Sequence, residues 1–236
     1  DWKWPHHCLG AWSEPRVLEV LRADMRRALQ RSGAAAAALD FLRPRDVVIH
    51  LRCFPFFNGA YPLAGFSFYK ALPKSFAAAP DLRFLLVAAS LGRPCTAVAL
   101  ALESFLMKHY PQAEVVRKFD AAVAPAGVMA EDLSSVDGAK ERAAEADFAL
   151  QVFAPVLFRS PSSFSLWAAL AREEGQPVLS TSNPTAHSCC WRWTEANFGR
   201  NWRWRKQVPL LTLDVVQRRG FAFEEHERWV HWLETN

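Results

Sequence analysis

Five short apolar segments, alternating with segments of helical periodicity, constrain the fold of this chain more than any other feature. Strands that alternate with helices, without strand–turn–strand hairpins, are typical of a parallel sheet covered on both faces. Continuous apolar runs with β-branched residues indicate strands that are buried on both sides. The five predicted strands are 46–53, 83–89, 114–119, 156–158 and 177–181.

Helical segments flank these strands and complete the pattern. Gly33 interrupts the first helix, and Gly175 is expected to stop the helix that begins at Phe164. Together the strands and helices predict an α/β fold, a Rossmann-like parallel sheet with helices on both faces. Apolar residues at three- and four-residue steps predict helices over 15–42, 65–76, 96–109, 138–150, 164–174 and 221–233.

Composition is typical of a globular chain and predicts no membrane helix within it. Of the 236 residues, 51% are apolar and 22% are charged. No apolar run reaches the roughly 18 residues that a bilayer-spanning helix needs. The chain begins with Asp1 and shows no signal-peptide pattern, so we expect a processed or excised piece. The net charge of +4 suits an anionic small molecule as well as a polyanion.

Changes in composition along the chain divide it into three parts. Residues 1–44 are predicted to form an aromatic loop and a helix, and 45–182 a Rossmann-like domain. Residues 183–236 form an extension rich in Trp and Arg, with a closing helix. The length and the Ala, Pro and Gly content of 120–137 predict a mobile or ligand-covering loop.

The five cysteines lack the spacing of a zinc site. His6, His7 and Cys8 could converge with His187 and the Cys189–Cys190 pair, but adjacent residues rarely bind one ion without a strained loop. We therefore expect no metal site. Buried thiols that pack as small apolar groups explain the cysteines better.

His50 and Arg52 lie two positions apart on the predicted strand 46–53, so both point to one face. An arginine at the end of a buried strand needs a partner, because an unpaired charge is costly to remove from water. That partner is either an internal carboxylate or a ligand phosphate, which a guanidinium can bind through two donors.

A serine-rich turn, 160–163, joins the strand at 156–158 to the helix that begins at Phe164. The first turn of a helix has unpaired N–H groups and the positive end of the dipole, which together attract phosphates. On the local signal alone, a simple N-cap at Ser162 or Ser163 with nothing bound is the commoner arrangement. Arg52, Ser90 and this turn all fall at the carboxyl edge of the predicted sheet, where ligands of such sheets bind.

Asp147 is predicted in the last turn of the helix 138–150, where the helix dipole disfavours a carboxylate. Such a position indicates either a functional acid or a surface aspartate paired with Arg142 or Arg159. In the extension, Trp and Arg residues alternate over 191–206. They could stack on bases or sugars, or simply pack on each other.

Two segments resemble the fucosyltransferase superfamily that uses GDP-fucose, most closely its alpha-1,2 and peptide-O- or core-fucosyltransferase group. The segment 48–52, VIHLR, resembles that family's strand ending in His-x-Arg. The segment 147–169 resembles its acidic helix end, apolar strand and Ser-Phe-Ser-x-Trp-Ala run, here SFSLWA. The two motifs follow one another in the family's order, and the resemblance covers residues 45–182.

This resemblance implies the donor-binding half of a GT-B glycosyltransferase, which transfers fucose from GDP-fucose, or a related sugar, to a glycan or glycoprotein. It implies that Arg52 holds the diphosphate and is catalytic, that His50 contacts the nucleotide or diphosphate, and that Asp147 lies at the guanine. No metal or further cofactor is implied, and the location would be the Golgi or secretory lumen if an anchor precedes this segment. The other implied donor-binding residues are Ser160, Ser162, Ser163 and Phe164.

The chain departs from this family directly after Arg52, where Cys53, Phe54 and Pro55 replace the usual x-Gly-Asp. This departure favours an alternative, a non-catalytic module that binds a glycan or a protein. Nucleic-acid binding through 191–206 is a further alternative that we do not expect. The acceptor half of a GT-B enzyme would need about 100 more residues, so we expect a truncated or reduced form.

Overall fold

Six parallel strands form the central sheet of the computed structural model, which describes residues 15–52, 62–88, 93–118, 136–181, 202–205, 208–222 and 225–236. All five predicted strands are present in it. A sixth strand, which was not predicted, pairs with the last of the predicted strands. In chain order the sheet strands are β1 (Asp46–Leu51), β3 (Arg83–Ala88), β4 (Glu114–Arg117), β5 (Val156–Arg159), β6 (Val178–Thr181) and β7 (Trp202–Arg205). The short strands β2 (Leu63–Ala64) and β8 (Leu210–Leu211) pair antiparallel in a separate sheet.

Helices surround the sheet close to the predicted positions. Gly33, in the left-handed region with φ 81°, separates the first two, as its sequence position predicts. The predicted helix 65–76 is instead a 3₁₀ helix, Phe66–Ala71, and a short α3, because Pro73 lies between them. The α-helices are α1 (Pro15–Arg31), α2 (Ala34–Phe41), α3 (Lys74–Ala77), α4 (Arg93–His109), α5 (Val136–Phe153), α6 (Ser163–Ala171), α7 (Leu213–Arg218) and α8 (His226–Thr235).

The helix α6 ends four residues before Gly175, contrary to the prediction. Arg172 leaves the helical conformation at once and turns its side chain into the protein, where it binds carbonyl groups. Gly175, with φ 100°, belongs instead to the turn that leads into β6. The stop is therefore set by a buried side chain and not by the glycine.

The order of the six parallel strands is β4-β3-β1-β5-β6-β7. The chain starts in the middle, builds β3 and β4 on one side, and then returns to build β5, β6 and β7 on the other. This is the order of doubly wound Rossmann sheets. The reversal falls between β1 and β5, whose connections leave in opposite directions and open a crevice at their carboxyl ends.

Two hydrophobic clusters cover the two faces of the sheet. On one face, Ile49, Leu86 and Phe158 pack against the 3₁₀ helix, α4 and α8. On the other face, Val48 and Leu157 pack against α1, α2, α5 and α6. The alternation along β1 follows the period of two that a strand imposes. Within the described residues, no helix is both long and apolar enough to cross a bilayer.

The segments at both ends of the chain contribute to these same clusters. Leu29 and Ala35 of the first two helices lie in the α5–α6 cluster. Trp229 and Leu233 of α8 lie in the opposite cluster, and their helix begins at His226, later than predicted. The proposed division into three parts stays a prediction, but the described helices of both outer parts share the core of the sheet.

Candidate functional site

His50 and Ser160 meet at the point where the strand order reverses. His50 is the fifth residue of β1, and Ser160 directly follows β5, its neighbour in the sheet. The Nδ1 atom of His50 lies 2.6 Å from the Oγ atom of Ser160, a hydrogen-bond distance. The bond connects two residues that are 110 positions apart in sequence, at the carboxyl ends of neighbouring strands.

His50 is neutral at physiological pH. Its side chain is buried, and burial, followed by the charges of Arg52 and Arg159, lowers its pKa from 6.5 to about 3. A neutral imidazole can accept a hydrogen bond from the Ser160 hydroxyl at one nitrogen and donate at the other. A base this weak does not activate a serine nucleophile at neutral pH, so the pair is suited to binding rather than to proton abstraction.

Arg52 lines a small cleft at this same edge, together with His50, Arg159 and Ser160. The opposite wall is formed by the β2 strand and by Phe68 and Tyr69 of the 3₁₀ helix. The described residues that line the cleft include no carboxylate, and the charged ones among them are Arg52 and Arg159. Its volume is about 10 Å³, room for about one water molecule.

The turn that carries Ser160 is held from below by two buried side chains. The Ser165 hydroxyl donates to the carbonyl oxygen of Ser160 at 2.8 Å and to that of Ser162 at 3.2 Å. An Nη atom of Arg159 donates to the same Ser162 oxygen at 3.3 Å, and the other donates to Ser180 Oγ on β6 at 2.7 Å. These bonds fix the backbone between β5 and α6.

The predicted serines of this turn take different positions. Ser162 is the N-cap residue of α6 and is buried, but its side chain makes no capping hydrogen bond. Ser163 is the first residue of α6, and its side chain falls outside the described part of the structure. Ser90 also lies outside it. The N-cap position is confirmed for Ser162, while the side-chain cap is not.

Phe164 connects the His50 pair to an apolar groove. Its ring lies 5.6 Å from the His50 ring and 5.4 Å from that of Phe148 on α5, measured between centroids. Phe148 and Phe164 line an open groove of about 280 Å³ between α1, α5 and α6, with Met25 and Leu29 on its far side. An apolar, ring-lined surface therefore continues from the polar cluster.

Asp147 lies six residues before the end of α5, and not in its last turn as predicted, because the helix continues to Phe153. Its carboxylate pairs with Lys118, which follows β4, at 2.9 Å; the sequence had suggested Arg142 or Arg159. Burial raises the pKa of Asp147, and the Lys118 ammonium partly offsets that rise. Asp147 precedes Phe148, which lines the apolar groove, but Asp147 itself lines neither that groove nor the cleft that contains Arg52.

Sequence reasoning missed Arg159, Ser165 and Lys118 as members of this neighbourhood. The argument made for Arg52 applies equally to Arg159, since both are arginines at the carboxyl end of a buried strand. Ser165 stood inside the motif that carried the family resemblance, but its two carbonyl partners are visible only in the folded turn. No sequence signal distinguished Lys118 from other basic residues.

The cysteine and tryptophan predictions are tested only in part. Cys95 is buried, as expected, but is disulfide-bonded and not a free thiol. Burial alone does not distinguish the two, because both pack as apolar sulfur. Within the residues that the structure describes, no group of three or more His, Cys, Asp or Glu side chains could hold a metal ion. The candidate His–Cys clusters, residues 120–135 of the predicted loop 120–137 and most of 191–206 fall outside those residues.

Comparison with known proteins adds no relative: no family model, no curated protein and no solved structure matches the chain. The geometry of the sheet edge and the sequence motifs are therefore the basis for a function.

Proposed function

We propose that this chain binds a nucleotide-sugar donor at the carboxyl ends of β1 and β5 and is the donor-binding half of a GT-B glycosyltransferase. The observation that carries the proposal is the His50–Ser160 hydrogen bond across the strand-order reversal, with Arg52 beside it. Sheets with this strand order bind nucleotides in that crevice. The chemistry of the lining residues supports an anionic ligand there.

The proposed role of Arg52 follows from the charge of the leaving group. Transfer of the sugar builds negative charge on the departing nucleoside diphosphate. A guanidinium such as that of Arg52 can bind phosphate oxygens through two parallel donors, and the first turn of α6 adds N–H groups and the positive dipole end. Because the chain itself supplies this positive charge, we propose that the reaction needs no metal ion.

The small volume of the cleft determines where the diphosphate would lie. A space of about 10 Å³ does not hold two phosphate groups. The diphosphate would therefore lie across the mouth of the cleft, between Arg52 and the Ser160–Ser163 turn. His50 would remain beneath it as a neutral hydrogen-bonding group.

The choice of GDP and of fucose as the transferred sugar depends on the motif resemblance, and the groove is compatible with a purine. The apolar walls at Phe148 and Phe164 suit the face of a base. Lys118 contacts Oδ1 of Asp147. The other carboxylate oxygen of Asp147 would accept the N–H donors of guanine.

Thermal unfolding with millimolar GDP tests the proposal. A ligand present at 100 times its Kd stabilises the folded state by about 2.7 kcal/mol, and each kcal/mol raises the Tm of a chain of this size by about 2–4 °C. We expect a rise of several degrees in the parent and none in Arg52→Ala. Arg45→Ala is the matched control, since Arg45 is a half-buried arginine at the amino end of the sheet, over the Phe76 ring. It should respond to GDP as the parent does.

An unchanged Tm for the parent in millimolar GDP would remove the proposal. If GDP binds, incubation with labelled GDP-fucose and a panel of glycan and glycoprotein acceptors decides between transferase and binding module. Donor binding without release of GDP would favour the non-catalytic alternative. The observation that supports that alternative is the replacement of x-Gly-Asp by Cys53, Phe54 and Pro55 after Arg52.

A further inference from the structure

Arg159 and Arg172 are both almost completely buried and lie at opposite ends of the sheet. Arg159 is 1% exposed and ends β5 at the carboxyl edge, next to Ser160. Arg172 is 2% exposed and binds the carbonyl oxygens of Gln151 and Ala154, which precede β5 at the amino edge. Burial lowers the pKa of each to about 9, so both stay protonated at pH 7.

The contacts of Arg159 are directed at the turn that presents the candidate site. Its guanidinium bridges Ser180 on β6 and the carbonyl oxygen of Ser162, the N-cap residue of α6. Ser165 binds that same oxygen and also the carbonyl oxygen of Ser160. The planar, charged guanidinium of Arg159 thus holds the hydroxyl of Ser160 and the start of α6 in one geometry.

The charge of Arg159 also reaches the His50–Ser160 pair. Arg159 and Arg52 are the two cations that depress the pKa of His50 after burial. Arg159 lines the same cleft as Arg52 and Ser160. A cation beneath the start of a helix and beside a second arginine makes the local electrostatic potential more positive, which favours binding of an anion.

We propose that Arg159 is a positioning residue of a phosphoryl-binding site: it holds the Ser160–Ser162 turn in place and adds a second positive charge beneath the bound anion. The inference rests on the proposed donor site and assigns to it a residue that no motif indicated. Since the Nη atoms of Arg159 already bind protein oxygens, Arg159 acts through the turn and through its charge rather than as a direct ligand.

Binding of inorganic pyrophosphate, measured by isothermal titration calorimetry, tests this role without any transfer reaction. Arg159→Met removes both the charge and the two Nη hydrogen bonds, and we expect the affinity for pyrophosphate to fall by about thirtyfold. Arg159→Lys keeps the charge but cannot form both hydrogen bonds, and we expect a fall of about tenfold. Arg172→Met removes an equally buried arginine from the other end of the sheet and should leave affinity within about twofold of the parent.

Titration of the His50 ring by NMR gives a readout that a purely structural role would not move. Loss of the Arg159 charge should raise the titration midpoint of His50 in Arg159→Met. Arg159→Lys and Arg172→Met should both titrate as the parent does, because the charge beside His50 is unchanged in each.

The outcomes separate this inference from the donor site itself. If the parent binds pyrophosphate and Arg52→Ala does not, but both Arg159 variants bind within about twofold of the parent, the role of Arg159 is wrong and the site stands. If the parent binds neither pyrophosphate nor GDP, both proposals are overturned. If it binds GDP but not pyrophosphate, the role of Arg159 at a phosphoryl-binding site is wrong. If Arg159→Met fails to fold, Arg159→Lys decides: a tenfold loss supports the role, and parent-like affinity contradicts it.

Discussion

The two ends of the central sheet bury positive charge in different ways. At the amino end, Arg83 and Asp46 form a two-pronged ion pair, with distances of 2.8 and 2.6 Å. At the carboxyl end, Arg52 and Arg159 line a cleft with neutral His50, and no described carboxylate lines it. The amino end thus contains a buried ion pair within the protein, whereas the described lining of the carboxyl-end cleft includes two arginines and no carboxylate.

Arg83 and Arg172, at the amino end of the sheet, are the reference for arginines with a structural role in this fold. Arg83 also donates to the carbonyl oxygen of Phe41, and Asp46 accepts the backbone N–H of Arg43 as well as the guanidinium. Arg172 likewise spreads its donors over backbone carbonyl oxygens. The guanidinium of Arg83 and the Nη atoms of Arg172 are thus bound by oxygens of the chain.

The largest expected effect is on stability at the amino end. Asp46→Ala leaves Arg83 buried without its carboxylate, and removing one partner of a buried pair costs about 3–5 kcal/mol. We expect urea unfolding to show a loss of that size. The double variant Asp46→Leu, Arg83→Met removes both charges and should recover most of the loss.

This prediction also tests whether the two ends are independent. Asp46 lies far along β1 from His50, so the double variant should bind GDP with parent affinity. A double variant that is as unstable as Asp46→Ala, or that loses GDP binding, would contradict the assignment of a purely structural role to this pair.

A smaller effect is expected from pH and originates at the carboxyl end. The pKa of His50 is about 3 in the folded state and 6.5 unfolded, so below pH 6.5 the unfolded chain takes up a proton that the folded one does not. The free energy of unfolding should therefore fall by about 2 kcal/mol between pH 7 and pH 5 because of His50. Urea unfolding over this range measures it.

His50→Gln supplies the comparison, because glutamine keeps hydrogen-bonding capacity but does not titrate. Between pH 7 and pH 5, its unfolding free energy should change less than that of the parent. Exposed His109, whose pKa is also lowered, contributes in the same sense to both proteins and cancels in the difference. Parallel curves for the two proteins would show that His50 is not the buried, neutral group described above.

The smallest expected effect concerns the turn between β5 and α6. Ser165→Ala removes a buried hydroxyl that donates to two carbonyl oxygens and should cost about 1 kcal/mol of stability. It should also weaken pyrophosphate binding, since the Ser160 turn loses one of its supports. Ser104→Ala removes an exposed hydroxyl that bonds within α4 and should change neither quantity measurably. Equal behaviour of the two variants would argue against the supporting role of Ser165.

Much of the sheet could be predicted because strand burial leaves a local signature. The apolar runs at 46–53 and 83–89 identified strands within two residues of their ends, and Gly33 marked a real helix break. The strand Trp202–Arg205 was missed because its alternating aromatic and basic residues do not form an apolar run. The prediction for Gly175 was wrong because Arg172 ended the helix through contacts that are distant in sequence.

The candidate site was predictable only in outline. That Arg52 and the serine turn lie at the carboxyl edge follows from the direction of parallel strands, which the sequence pattern implies. That His50 reaches Ser160 and not another side chain depends on β1 and β5 being neighbours, and strand order is not encoded in any local pattern.

The sequence by itself determined the class of the fold, the buried strands and the edge at which polar groups collect, because hydrophobic periodicity acts over a few residues. Only the tertiary structure decided which cation is a structural partner and which lines a cleft. Arg52, Arg83, Arg159 and Arg172 have similar sequence contexts, at or near the ends of buried segments. Their different partners come from chain segments that folding brings together, so their roles depend on strand order and on packing across the sheet.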